Sequence, residues 1–280
     1  MTPSATQPGN HWVSEQRVAS ADRWDLLWQA FSREATQLLL RGVPPSAGRV
    51  LDLASGAGDP AVHIAKLLGP RAHVTATDLG RDILCLASRT AARMGINNLS
   101  FQEADAHSLP FPDRHFDVVT SRFGVMFFQN LAAALPEVWR VLRPSGIALF
   151  VVWGTPQQPY FAATVGSVLK LAAVPPPPSD APHPFRFSQP GKLCRELEAA
   201  GFARVREQVC PITLCWPGPP SQLWQYFQET TGTYRPHLEG LGVTDLARVA
   251  GRAQAAFQEH FDGEAIRLPG EVLLVTGIRE

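Results

Sequence analysis

The chain has 280 residues, with 25 basic and 25 acidic side chains, a formal net charge of zero and a 45% apolar composition. Balanced charge with no run of Lys or Arg argues against a nucleic-acid partner, and the length suffices for one large core or a core with a small second lobe. The longest uninterrupted apolar run, Ile147 to Trp153, is too short to span a bilayer, and no basic-then-apolar leader opens the sequence, so a cytoplasmic protein is expected.

Along the chain, residues 1–10 are polar. Trp24, Leu27, Trp28, Phe31, Leu38 and Leu39 then recur at helical spacing, which predicts a helix packed on the core, with an aromatic end that can also close over a site. Arg49 to Leu53 reads as a short buried strand, followed by small residues at alternate positions: Ala54, Gly56 and Gly58. Asp59 is placed as an N-cap and Pro60 as the first helical residue of a helix that Gly69-Pro70 ends. The next strand closes on Asp78, and a helix near Arg81–Met94 stops at Gly95. Strands are expected near Ser100–Glu103, Phe116–Ser121 and Ile147–Trp153. Between the last two lies a helix from about Leu131 to Leu142, which Pro136 should kink or delay. Strand and helix in alternation predict a parallel sheet with crossover helices. Pro175 to Pro178 form a stiff exposed loop, followed by helices near Leu193–Ala200, Ser221–Phe227 and Thr244–Phe261. Ala203–Pro217 reads as a strand broken by Pro211, and Glu271–Arg279 as the last strand.

Four cysteines (Cys85, Cys194, Cys210, Cys215) are scattered without metal-ligand spacing and read as reduced, packed thiols. The eight histidines form no helical ligand pair, so no metal site is expected.

Strand, glycine-rich turn, capped helix and a second strand ending in an acid form a nucleotide-type site. Asp78 is placed to accept ribose hydroxyls. No Lys-Ser or Lys-Thr pair follows the glycines, which excludes a triphosphate-binding loop. A dinucleotide fingerprint would tolerate Ala61 at its third glycine. Asp52, however, stands before the turn, where a pyrophosphate would not want a carboxylate. An anionic strand end suits a cation or an amine, and S-adenosylmethionine carries an ammonium and a sulfonium.

Leu51-Asp52-Leu53-Ala54-Ser55-Gly56-Ala57-Gly58 resembles motif I of the class I S-adenosylmethionine-dependent methyltransferases, and Thr75-Ala76-Thr77-Asp78-Leu79 their ribose-binding strand end. Glu103-Ala104-Asp105-Ala106 is similar to the adenine-binding strand end, Phe116 to Arg122 to the fourth strand, and Val141 to Gly146 to the turn before the fifth. Order and spacing are those of the branch that includes quinone-biosynthesis and natural-product methyltransferases, strong over about residues 45–155 and weak in the flanks. Ser55 replaces a common Cys or Gly, and His107 stands where Glu or Gln is frequent.

The resemblance implies an α/β fold: a Rossmann-like doubly wound sheet, mostly parallel with an antiparallel last strand, plus N-terminal helices and an inserted helical cap. The expected divisions are a lid segment at 1–44, the core at 45–155, a cap at 156–200 and 218–265, and closing strands at 201–217 and 266–280. It also implies cofactor contacts from Asp52, Ala54, Ser55, Gly56, Ala57, Gly58, Asp78, Leu79, Asp105, Ala106, Ser121 and Arg122. The expected activity is methyl transfer to a small molecule, with His107, the one histidine placed near the cofactor, as the candidate catalytic residue. The acceptor walls would come from Phe123, Met126, Phe127, Trp153, Tyr160, Trp224 and Tyr226, with Trp24 from the N-terminal helix. Two alternatives stay open: a nicotinamide-dependent oxidoreductase, and a binding protein that keeps the fold without turnover.

Overall fold

A computed structural model describes residues 32–175, 177–232 and 234–280. Trp24 and most of the expected lid segment lie outside the described residues, as does Pro176 of the proline run. Seven strands form one sheet in the order β3-β2-β1-β4-β5-β7-β6. They are β1 (Arg49–Leu53), β2 (His73–Asp78), β3 (Leu99–Glu103), β4 (Phe116–Arg122), β5 (Leu142–Trp153), β6 (Ala203–Trp216) and β7 (Ile266–Ile278). β1 to β5 pair in parallel, and β7 runs antiparallel between β5 and β6. This is the doubly wound architecture expected, with its antiparallel strand.

β1 is buried from Val50 onwards because helices cover both faces of the sheet, so its apolar residues need not alternate with polar ones. α2 (Asp59–Leu68) and α3 (Arg81–Arg93) pack against β2 and β3. α4 (Leu131–Val141) and α6 (Lys192–Ala199) pack against each other and the β5–β7–β6 side. Right-handed crossovers running outward in both directions from β1 and β4 place these two sets on opposite faces. The strand order therefore reverses between β1 and β4, opening a crevice at their carboxyl ends.

Several expectations need correction. Pro211 does not break β6: it pairs with Glu271 within a continuous strand, because β6 is the sheet edge, where a missing N–H is tolerated. The irregularity lies instead at Arg204, with φ +49°, where the register shifts between Ala203 and Arg206. β7 begins at Ile266, earlier than Glu271. Its Ile266–Gly270 stretch pairs with β6, beyond the end of β5, so Pro269 interrupts no central ladder. α4 starts on time at Leu131, capped by Asn130 Oδ1, which accepts from Ala133 N–H, and it contains Pro136 without ending there.

Residues 32–42 form helix α1, which buries Ala35 and Leu39. A second helical group comprises α5 (residues 159–171, with a π turn at Ala162–Gly166), α7 (Pro220–Thr230), α8 (Arg235–Glu239) and α9 (Val243–Gln258). α9 packs on α5, α7 and β7. Buried Gln158 fastens this group to the sheet: its amide donates to the carbonyls of Thr155 and Glu271 and accepts from Glu271 N–H. α6 falls in the 156–200 segment read as cap, yet it packs on α4, β6 and β7, because its buried Leu193 and Leu197 face the sheet layer.

Candidate cofactor and acceptor site

The turn after β1 bends into left-handed backbone at Ala54 (φ +53°), Gly56 (φ +55°) and Gly58 (φ +89°). At Gly58 a side chain is excluded twice over, since a Cβ would lie 2.9 Å from Ala87 Cβ. Left-handed Gly58 itself opens α2, and no side chain caps that helix. Asp59 is therefore not the N-cap expected: its carboxylate is drawn elsewhere, as described below.

Short-range bonds hold the turn in shape. Ser55 N–H donates to Thr77 O (2.8 Å), and Ser55 Oγ to Asp52 O (2.8 Å). Asp78, buried at the end of β2, accepts from Gly56 N–H (2.9 Å) and from Gly80 N–H (3.0 Å). It thus ties the glycine turn to the next loop. Leu79, beside it, leaves 47% of its surface exposed, a large apolar side chain at the mouth of the crevice.

Asp52 is fully buried. Its Oδ1 accepts from Thr120 Oγ1 at 2.6 Å, and its Oδ2 has no hydrogen-bond partner among the described residues. Burial pushes its carboxyl up to about 6, against the bond from Thr120. On the other side of the crevice, Ser121 Oγ donates to Leu53 O (3.0 Å). Gly124 lets the two loops meet: a Cβ there would lie 2.5 Å from Ser121 Oγ and 2.6 Å from Ala54 Cβ.

Arg122, next along β4, is buried and pairs with Asp59 Oδ2; it also donates to Thr36 Oγ1. The same carboxylate oxygen accepts from Ser32 Oγ at 3.0 Å and from Thr36 Oγ1 at 3.4 Å. Burial works against the Asp59 charge, and Arg122 overrides it, holding the carboxyl well below the usual carboxylate range. One carboxylate therefore clasps α1, α2 and β4 together beside the glycine turn.

Asp105 follows β3. Its Oδ1 accepts from His107 N–H (2.9 Å) and from His107 Nδ1 (2.5 Å). Burial raises the Asp105 carboxyl, and the His107 bonds outweigh it and keep it below its ordinary value. His107 Nε2 accepts from Asn130 N–H (3.1 Å), so both ring nitrogens are engaged. The histidine links the loop after β3 to the start of α4.

The structure gathers some of the expected acceptor-wall residues and not others. Phe123, left-handed at φ +60°, stacks on Trp153 with centroids 4.1 Å apart and planes 8° apart. Trp153 meets Phe161 edge-on at 4.9 Å, and Phe161 meets Tyr160 at 5.2 Å and Phe185 at 4.8 Å. Burial holds the Tyr160 phenol well above its ordinary value, so it is a neutral hydroxyl at physiological pH. Met126 is buried in the core and Phe127 is partly buried against it. Trp224 and Tyr226 are buried against Phe227 and Trp216 respectively, and Tyr226 lies near enough to Tyr160 to act on its phenol. Sequence reasoning missed Thr120, Phe161, Phe185 and the Asp59–Arg122 clasp, whose members come together only across long stretches of chain. No group of His, Cys, Asp and Glu among the described residues could hold a metal, and no described helix is long and apolar enough to cross a membrane.

Residues 50–146 match the family model described as a methyltransferase domain. The ubiquinone/menaquinone biosynthesis C-methyltransferase UbiE of Ectopseudomonas mendocina is 38% identical over 137 residues, 49% of this chain and 51% of that protein. UbiE of Shewanella frigidimarina is 39% identical over 110 residues, 39% of this chain and 44% of that protein. The chain thus spans about half the length of the curated relatives it matches. Among solved structures, YcgJ of Bacillus subtilis aligns with a TM-score of 0.58 at 23% identity, over 89% of this chain and 99% of that one. Phosphoethanolamine N-methyltransferase 2 of Haemonchus contortus, solved with phosphomonomethylethanolamine and S-adenosylhomocysteine, aligns with a TM-score of 0.62 at 14% identity, over 99% of this chain and 61% of that one. At such identities the structural likeness speaks for the fold.

Proposed function

We propose that this chain, whose residues 50–146 belong to the methyltransferase-domain family, transfers a methyl group from S-adenosylmethionine to a small-molecule acceptor. One observation carries the reading: a fully buried carboxylate, Asp52, stands at the switch point beside a glycine turn with one oxygen unpartnered. A cationic amine compensates such a group; a pyrophosphate would repel it, which disfavours a nicotinamide dinucleotide. The residues present fit the cofactor. Asp52 would hold its ammonium side, and Ala54–Gly58, with no side chain possible at Gly58, would wrap the methionine and ribose. Asp78 and Leu79 would hold the ribose and one adenine face, and Asp105 with Ala106 the adenine edge. Ser121 and Arg122 would offer backbone carbonyls.

When bound, the cofactor supplies a methyl carbon already activated by its sulfonium. The protein's share is alignment and exclusion of water. Phe123 and Trp153, both buried, stack on each other at the ends of β4 and β5, an apolar aromatic lining that would suit an aromatic or apolar acceptor. His107 bonds through both nitrogens and is a positioning residue in this reading, and the Tyr160 phenol is neutral. An acceptor that needs no protein base, such as an electron-rich ring carbon, fits these groups best, and the relatives' name as C-methyltransferases supports it.

Titration calorimetry tests the reading. S-Adenosylmethionine and S-adenosylhomocysteine should bind, and nicotinamide dinucleotides should not. Asp78→Ala should weaken binding about ten- to a hundredfold, the worth of a charge-assisted hydrogen bond. Dinucleotide binding without S-adenosylmethionine binding would overturn it.

A further inference from the structure

A buried charge is costly unless an opposite charge or several hydrogen bonds compensate it, and most of this protein's buried charges are compensated. Arg122 has Asp59. Arg279 donates to the carbonyls of Trp139, Arg140 and Leu142 and lies over the Trp139 ring at 3.7 Å. Asp78 accepts two backbone amides. Two remain under-compensated: Asp52, already assigned to a cationic ligand group, and Arg186.

Arg186 is 6% exposed. Its Nη1 donates to Phe128 O at 2.5 Å, and its Nε has no partner among the described residues. The Phe187 ring lies 5.5 Å from its guanidinium carbon. Glu196 and Asp180 act on it only through space, and Asp180 pairs instead with Lys192 at 3.3 Å.

Its position points the same way. Phe128 closes the short turn that begins after Phe123 and Gly124. Phe185, next to Arg186 in the chain, packs on Phe161 and so on the Trp153–Phe123 stack. Burial, then the charges of Lys192 and Arg186, hold the nearby His183 ring below its ordinary value, so the neutral imidazole offers Arg186 no negative charge.

We propose that Arg186 recognises a carboxylate on an aromatic acceptor, making it the specificity-determining residue of the acceptor site; this rests on the methyl-transfer reading. The free Nε offers one tine of the planar fork with which Arg grips a carboxylate, and the aromatic row offers a surface for the ring that carries it. Asp52 and Arg186 would then take opposite charges on the two ligands, cation and anion respectively.

The test uses 2-naphthoate and its neutral isostere 2-naphthamide as probes, titrated into the full chain saturated with S-adenosylhomocysteine. The carboxylate should bind at least tenfold more tightly than the amide. Arg186→Gln should abolish that preference while leaving S-adenosylhomocysteine affinity unchanged, and Arg186→Lys should keep part of it. Equal affinity of the two probes for the wild type, or a preference that Arg186→Gln retains, overturns the proposal. If neither variant folds, the wild-type ratio decides. Failure of the wild type to bind S-adenosylhomocysteine would sink the methyl-transfer reading, while the probe ratio, measured as well without S-adenosylhomocysteine, would still report on Arg186.

Discussion

At the residue scale, Asp52 carries a cost that a bound cation would offset. Its carboxyl is raised from 3.8 to about 6, chiefly by burial. A raised pKa means that the folded state favours the proton. The stabilisation is complete below about 3.8 and is lost as pH rises through about 6. The difference corresponds to roughly 3 kcal/mol once the group is ionised. Asp52→Asn should therefore melt at a higher temperature than wild type at pH 8 without ligand, and bind S-adenosylmethionine more weakly. Wild-type affinity should also fall as pH drops through 6. A variant with unchanged melting and wild-type affinity would remove Asp52 from both roles. The position of Asp52 was legible in sequence because it depends on its neighbours in the chain, a strand around it and small residues after it. Asp59 was misread for the opposite reason. Asp before Pro at a helix start looks like a cap, and the partners that divert it, Ser32, Thr36 and Arg122, lie up to 63 residues away.

At the element scale, that same carboxylate joins α1, α2 and β4. Removing one partner of a buried pair strands the other, which costs about 3–5 kcal/mol. Asp59→Ala should lose stability of that order in urea unfolding at pH 7, and adding Arg122→Met should recover much of it. A loss below 1 kcal/mol in Asp59→Ala would show that the clasp contributes little. Because Arg122 holds the Asp59 carboxyl down, its stabilisation is present above about pH 4 and disappears as pH falls below it. The core strands and helices were legible because strand–turn–helix units are local. Edge behaviour was not. Whether Pro211 breaks a strand depends on which neighbour lies beside it, and chain order does not state that β6 is outermost.

At the scale of the whole molecule, the helices α5 and α7–α9 form a group fastened to the sheet through Gln158 and the Trp153–Phe161 contact. Trp224, expected at the acceptor wall, sits inside this group against Phe227. Trp224→Ala should therefore cost about 3–5 kcal/mol of stability, while the folded protein keeps wild-type affinity for S-adenosylmethionine. A stable Trp224→Ala protein with impaired turnover would return that side chain to the acceptor. By itself the sequence determined the alternation of strands and helices, the glycine turn, and the acids Asp52 and Asp78 in the first two strands. Each of these follows from hydrophobic period and backbone conformation over fewer than about twenty residues, where chain connectivity already dictates proximity. Only the tertiary structure decided which charges are compensated, which aromatic rings stack, and that His107 bonds through both nitrogens. Those outcomes depend on burial and on distances between residues far apart in the chain, and burial is a property of the packed molecule that no local pattern encodes.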